Sequence, residues 1–285
     1  MTGITLLTGA TGFVGSQVLR ALGETGARVR LVIRDGKHDQ LATQKGIESV
    51  VTTHDLFAES TEWWADVCKG IDTIIHVAWY AEPGKYLQSV NNLDCLMGTL
   101  HMAKGAVQAK VRRFIGIGTC FEYDLTVGML SIETPLRPMT PYAGSKAAAF
   151  MALSQWLPQQ EVEFAWCRLF YLYGEGEDAR RLVPYLRTKL IAGESAELTS
   201  GSQIRDFLDV REAGRMIVKT ALGDEQGPVH ICSGLPITVR QLAETIADEY
   251  GRRDLLKFGA RQENLIDPPC VVGIATKVRN EHDHK

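Results

Sequence analysis

The chain has 285 residues, 45% of them hydrophobic and 23% charged, with a formal net charge of −3. That balance describes an ordinary globular protein, long enough for one large or two modest domains. It argues against nucleic acid as the main partner, because no basic run is present to track a phosphate backbone. No stretch approaches the length of a membrane span. The opening MTGITLLTGATGFVG lacks the basic region and unbroken apolar core of a secretory leader. Cys68, Cys95, Cys120, Cys167, Cys232 and Cys270 are scattered without a C-x-x-C pair, so a reduced, cytoplasmic setting is expected. The EHDHK tail, with His282 and His284, is expected to be solvated, and no metal site is expected.

Taken from the amino end, ITLLTG (4–9) is a short apolar run that stops at glycine and predicts a first strand. Residues 12–25 follow with Val14, Val18, Leu19 and Leu22 at helical spacing. VRLVIR (29–34), a stretch within 46–55, DTIIHVA (72–78), VRRFIGIGT (111–119) and EFAWCRLF (163–170) continue the series of strands. Helical patterns lie at 93–109 and at 143–157, the second closed before Pro158. This alternation predicts an α/β protein of Rossmann type, a doubly wound parallel sheet whose strands are buried on both faces. Beyond Gly174 the pattern breaks up, with helices expected at 179–192, 211–222 and 238–250 between short extended pieces. The expected division is a dinucleotide-binding domain over 1–173. A smaller, mostly substrate-binding portion covers 174–285, with segments returning to the sheet.

Gly9, Gly12 and Gly15 stand between the first strand and the first helix as G-x-x-G-x-x-G. A backbone that must turn tightly and approach a pyrophosphate has no room for a Cβ, and a helix N-terminus offers free N–H groups and a positive dipole end. The motif sits where such a cradle belongs, in a strand–turn–helix unit at the start of the chain. Arg34 ends the second strand, nineteen residues after Gly15, where an NAD site would place a carboxylate. A guanidinium there can pair with the 2′-phosphate of NADP and stack on adenine. The expected cofactor is NADP, with NAD left possible because Asp35 follows at once.

Tyr142 and Lys146 form Y-x-x-x-K at the head of a helix, on one face at i, i+4. A free phenol, with a pKa of about 10, needs an ammonium neighbour to work as an acid or base near neutrality. Lys146 is expected to supply that charge and to hold the nicotinamide ribose as well. Thr119, at the end of the fifth strand, places a hydroxyl at the carboxyl edge of the sheet, where ligands bind in such folds, and would hydrogen-bond the reacting oxygen. No metal is needed for that set.

TGATGFVG, the Thr119/Tyr142/Lys146 set and FIGIGTCFEYD together resemble the extended short-chain dehydrogenases, the NAD-dependent epimerase/dehydratase family. The resemblance adds Thr11, Phe13 and Val14 to the cofactor loop and reads Asp55-Leu56 as the family's contact to adenine. His76-Val77-Ala78 resembles its strand end beside the cofactor, and Arg205-Asp206-Phe207 its Arg-Asp-Phe motif, whose arginine meets the substrate's phosphates. CRLFYLYGEG resembles Arg-Leu-x-Asn-x-Tyr-Gly-Pro-Gly, with Tyr171 in place of the Asn, so the substrate pocket differs there. HICSGLPITVRQLAETI matches a further family stretch. The usual helix asparagine aligns best with Cys95, beside Asn91 and Asn92. The family's closing Gly-Trp-x-Pro segment does not occur, and the chain is expected to stop near its last helix.

Dehydratases of this family carry Asp-Glu directly after the Thr. Here those places hold Cys120 and Phe121, so the acid and base for eliminating water are missing, and Cys120 reads as a small buried residue. The Glu122-Tyr123 pair resembles one in the family's deoxysugar reductases, which makes Glu122 a candidate substrate contact. Arg180 and Arg181 join Arg205 as candidates for a diphosphate.

The resemblance implies a nucleotide-sugar substrate and a homodimer through helices 93–109 and 143–157. Met97, Leu100, Ala147, Phe150 and Met151 supply apolar positions beyond the needs of one sheet face. The expected function is NADPH-dependent reduction of a nucleotide-linked 4-keto-6-deoxy sugar. An NAD-dependent nucleotide-sugar epimerase is the alternative, and a non-catalytic dinucleotide sensor is a third reading, disfavoured by the retained Tyr/Lys pair.

Overall fold

Seven apolar runs assemble into a single sheet in the computed structural model, which describes residues 3–37, 46–263 and 267–275. They are β1 (Ile4–Thr8), β2 (Arg28–Arg34), β3 (Ile47–Thr53), β4 (Ile71–His76), β5 (Arg113–Thr119), β6 (Glu163–Leu169) and β7 (Gly227–Ile231). Their order across the sheet is β7-β6-β5-β4-β1-β2-β3, and every neighbouring pair is parallel. The chain therefore winds outward from β1 one way and from β4 the other, and the crevice at that reversal is where open parallel sheets bind ligands.

Helices close both faces. On one side α1 (Phe13–Thr25) packs with α6 (Val210–Leu222), through Val18, Leu19, Leu22, Ile217 and Val218. Their approach is close: a Cβ added at Gly214 would come within 2.8 Å of the Gln17 backbone. On the other side lie α2 (Thr61–Val67), α3 (Asn91–Gln108) and α4 (Pro141–Trp156), contributing Trp64, Met102, Ala149 and Leu153. Double coverage explains why all seven residues of β5 are buried. Each large apolar side chain so sealed is worth about 1.5–3 kcal/mol.

A second, smaller core joins α5 (Leu182–Ala192) and α7 (Val239–Asp248) with the parallel pair Ala196–Leu198 and Leu256–Phe258. A separate four-stranded sheet has the order Ile237–Thr238, Ile204–Arg205, Cys270–Gly273, Met129–Leu130. Residues after 174 thus build that core but also return α6 and β7 to the main sheet.

Several boundaries differ from the sequence reading. Helix α5 begins at Leu182, not 179, because Asp178 and Arg180 are spent on a turn in which the Asp178 carboxylate accepts the Arg180 N–H at 3.0 Å. The seven-residue α2, capped by Ser60, is too short to show a period. Among the apolar positions assigned to a dimer face, Met97 and Met151 are exposed at 53% and 59%. Leu100 and Phe150 lean on the core that α2, α3 and α4 form with the main sheet, whereas Ala147 is buried inside α4 and is removed from that surface. The tail with His282 and His284 lies outside the described residues.

Candidate active site

β1 delivers the chain to the crevice and the glycine loop turns it into α1. Gly9 takes φ +74, and a Cβ there would lie 2.7 Å from the Ala78 nitrogen. A Cβ on Gly15 would lie 2.0 Å from the Gly9 oxygen. The Gly12 N–H closes the turn onto the Gly9 carbonyl at 3.0 Å. Gly12 caps α1 without a side chain, and the first turn holds no acidic residue, so its N–H groups and dipole remain available to an anion. Only glycine fits at positions 9 and 15, and the bare backbone there is what a pyrophosphate requires. Thr11, Phe13 and Val14 lie along the same turn. Beside it, the Thr8 hydroxyl bonds His76 Nδ1 at 2.9 Å and accepts the Ala78 N–H at 3.2 Å, tying the ends of β1 and β4 together. His76 also meets Thr99 at 2.9 Å, and burial pushes its imidazole down to about 3, so it is a neutral strut beneath Val77 and Ala78.

At the other side of the loop, Arg34 is exposed at the tip of β2 beside an open hollow of about 440 Å³ lined with Asp35, Lys37 and His54. Leu56 is buried in the main core, and Asp55 accepts the Phe57 N–H at 3.0 Å in its own turn.

At the opposite end, β5 and α4 form a sealed shelf. Thr140 caps α4 through the Ala143 N–H at 3.2 Å, and Pro141 opens the helix, which sets Tyr142 and Lys146 one turn apart on its inner face. The structure brings Thr119 close enough to Tyr142 to act on its phenol, while the Thr119 hydroxyl accepts the Phe121 N–H at 3.3 Å. Lys146 is 3% exposed; it donates to the Ile117 carbonyl at 2.6 Å and stands 3.8 Å from the centroid of the Trp79 ring.

The electrostatics differ from the sequence expectation. Burial pushes the Tyr142 phenol well above its ordinary value, with Tyr86 and Glu122 adding to the rise and Thr119 opposing it. Burial also pushes the Lys146 ammonium down to about 7, against the pull of Glu122 and Cys95. The expected lowering of Tyr142 by Lys146 is not realised, because desolvation outweighs it and the ammonium is turned to Ile117. Tyr142 holds its proton firmly, which suits a donor.

Glu122 is corrected as a substrate contact. It is fully buried, and its oxygens accept the Thr119 N–H at 2.8 Å, the Trp166 indole N–H at 3.0 Å and the Arg168 Nε at 2.8 Å. Tyr123 is buried behind it, its hydroxyl 2.7 Å from both Arg168 and His230. Cys120 is 2% exposed and burial pushes its thiol up to about 12, an inert group.

The phosphate candidates separate. Arg180 is exposed and bonded to Asp178 at 2.8 Å. Arg181, the residue before α5, lies near enough to Tyr86 for its charge to act on that phenol. Arg205 is 2% exposed, lies over the Tyr171 ring at 5.2 Å and pairs with Asp267 at 2.7 Å.

Sequence reasoning missed the segment that covers Tyr142. The Tyr86 ring meets the Tyr142 ring edge-on at 4.8 Å. Buried Asn92 fastens that segment by donating to the Tyr86 and Ser89 carbonyls at 2.6 and 2.8 Å and accepting the Trp79 N–H at 2.9 Å. Trp79, directly after the strand-end His-Val-Ala, was the available signal.

Fold and loop together define a dinucleotide-binding α/β enzyme. The chain belongs to the NAD dependent epimerase/dehydratase family, which it matches over residues 5–231. It is 25% identical over 276 residues to the dTDP-6-deoxy-L-talose 4-dehydrogenase (NAD(+)) of Aggregatibacter actinomycetemcomitans, covering 94% of this chain and 98% of that one. Among solved structures, it is similar to the UDP-N-acetylglucosamine 4-epimerase of Methanobrevibacter ruminantium M1, with a TM-score of 0.82 and 22% identity over 96% of this chain and 90% of that one. It is likewise similar to MoeE5, solved with UDP-glucose and NAD, with a TM-score of 0.76, 25% identity and the same coverage.

Proposed function

We propose that the protein reduces the keto group of a nucleotide-linked 4-keto-6-deoxy sugar, with NADPH as the preferred cofactor. The observation that carries the reading is the composition of the shelf. A proton-holding Tyr142 sits beside Thr119, the next two residues are an inert thiol and a phenyl, and the third, Glu122, has its oxygens engaged by the protein. That arrangement has a proton donor for an oxygen and no acid–base pair beside it for eliminating water. Similarity to a 4-dehydrogenase of a 6-deoxy sugar supports the same position of attack, since a dehydrogenase and a reductase run one reaction in opposite directions.

The glycine loop and the α1 N-terminus would hold the pyrophosphate, and Lys146 the nicotinamide ribose. The reduced nicotinamide, when bound, supplies a hydride. Tyr142 then gives its hydroxyl proton to the carbonyl oxygen, Thr119 steadies that oxygen by a hydrogen bond, and Lys146 in its charged form balances the phenolate left behind. Tyr86 and Trp79 exclude water over the pair. Arg205 and Arg181 are the candidates for the diphosphate. At the adenosine end, Arg34, Lys37 and His54 would receive a 2′-phosphate.

The test mixes protein, NADPH or NADH, and a panel of nucleotide 4-keto-6-deoxy sugars, and follows nicotinamide absorbance. Oxidation of NADPH by at least one of them is expected. No oxidation with any, together with nicotinamide that stays bound through purification and interconversion of 4-epimeric nucleotide sugars, would replace the reading with an epimerase.

A further inference from the structure

Strand β5 is stripped of side chains where it passes Trp166. A Cβ on Gly116 would lie 2.2 Å from the indole, and one on Gly118 would lie 2.1 Å from the indole nitrogen and 2.4 Å from Glu122 Oε1. The two glycines let the indole lie flat on the strand and let a carboxylate reach its N–H. That carboxylate is buried completely, an arrangement that costs several kcal/mol unless it is paired and bonded.

We infer that Glu122 is the positioning residue of the shelf: it fixes the Thr119 peptide by accepting its N–H and provides the buried counter-charge for the Lys146 ammonium. The inference rests on the proposed function only for its effect on turnover.

The geometry supports both halves. Thr119 is held from behind at its own nitrogen, 2.8 Å from Glu122, while its hydroxyl accepts the Phe121 N–H at 3.3 Å, so carboxylate and hydroxyl close one reciprocal capping turn. The Trp166 ring centroid is 5.9 Å from Lys146 Nζ, while its N–H donates to Glu122 at 3.0 Å, so one buried indole lies against both the carboxylate and the ammonium. Charges interact far more strongly there than at the surface. The groups facing Lys146 are Glu122, the Cys95 thiol, the Ile117 carbonyl, the Trp79 and Trp166 rings and neutral His76. Cys95 is itself held protonated by burial, near 11, which leaves Glu122 as the anion. Facing Tyr142 are Tyr86, Thr119 and Cys120 as well as Glu122. Arg168 is occupied by Glu122 at 2.8 Å and by Tyr123 at 2.7 Å.

The experiment follows Lys146 by NMR of lysine labelled at Cε, assigned with Lys146→Met, across pH. In the parent the midpoint is expected near 7. Removing the adjacent negative charge disfavours the ammonium, so Glu122→Gln should lower the midpoint by about one pH unit or more. Glu122→Gln with Arg168→Met removes the buried carboxylate together with its guanidinium partner and should show the same fall; it is read in place of the single variant if that one does not fold. With an identified substrate, the alkaline side of the rate profile should move down in step, whereas a merely structural loss would lower the rate evenly at every pH. An unmoved midpoint in a folded variant, or a double variant that returns to the parent midpoint, overturns the inference. Failure of both variants to fold would assign Glu122 to folding instead and overturn it too. A parent that turns over no keto sugar refutes the proposed reaction but leaves the NMR comparison intact.

Discussion

The two ends of the crevice are built on opposite principles. At the β5–α4 end, Thr119, Glu122 and Lys146 are each at most 5% exposed and each is hydrogen-bonded within the protein. At the β2–β3 end, Arg34, Asp35 and His54 stand exposed around an open hollow. Buried charges act in a low dielectric and are not screened, while exposed ones more than about 10 Å apart are largely screened at ordinary salt. Substitutions at the sealed end should therefore change turnover and stability together. Substitutions at the open end should change only cofactor affinity, and less so as salt rises.

The largest effect should come from Tyr142→Phe. The ring and its edge-on contact with Tyr86 survive, and only the proton source goes. Turnover should fall roughly 10²–10⁴-fold, the size of a general-acid contribution, with cofactor and sugar binding nearly unchanged by calorimetry. Near-normal turnover would move the proton source elsewhere and erase the contrast between the two ends.

Lys146→Met should also abolish most turnover and weaken the cofactor, yet make the protein more heat-stable. The folded-state value sits near 7 against an ordinary 10.5, so between these the unfolded chain binds more protons and folded stability rises with pH. Methionine removes that dependence. Its gain in Tm over the parent should be greatest at pH below 7 and should shrink toward 10.5. A variant less stable than the parent at acid pH would show that burial of this ammonium carries no cost.

These two predictions fall on residues that the sequence displayed, and the reason is distance along the chain. Glycines three apart and a Tyr/Lys pair four apart are local patterns, so the cradle and the face of α4 could be read directly. Glu122 could not, because its fate depends on Trp166 and Arg168, 44 and 46 residues away, and on two glycines whose purpose is to admit the indole. The cover over Tyr142 was hidden for the same reason: Trp79 meets Lys146 only through the fold. The alternation of strands and helices was legible throughout the first half. After residue 174 the elements are short and belong to two cores at once, and β7, five residues long, could not be told from a loop piece.

Arg34→Asp probes the open end. A charge-assisted hydrogen bond is worth about 1.5–3 kcal/mol, and exposure reduces it, so NADPH binding should weaken roughly tenfold at low salt. NADH affinity should hold or improve, and turnover at saturating cofactor should stay near the parent value. Equal loss for both cofactors would sink the assignment of Arg34 to the 2′-phosphate. A loss that salt does not diminish would mean the hollow closes in solution and the two ends are alike.

The smallest effect on chemistry should come from the outer faces of α3 and α4, which form the back of the sealed shelf. Leu93 and Met97 lie one turn apart on α3, both 53% exposed, and Met151 on α4 is 59% exposed. Exposed apolar side chains grouped on two adjacent helices suit burial against a second copy of the same pair, in which each patch meets its own equivalent across a two-fold axis. We therefore expect a dimer by light scattering at micromolar concentration. Met97→Lys with Met151→Lys should yield a monomer, because four added like charges would face each other across the axis. The monomer should melt at lower temperature, since α4 loses the support of its outer face, and its turnover should drop only a few-fold, because Tyr142 and Lys146 are fixed from the inner face by Thr119, Ile117 and Trp79. NADPH affinity should not change, because Arg34 lies on β2, separated from β5 by β4 and β1. A parent that scatters as a monomer refutes the dimer outright. A monomeric variant that binds NADPH as weakly as Arg34→Asp would show that the two ends of the crevice are coupled through the sheet, and the separation drawn between them would have to be abandoned.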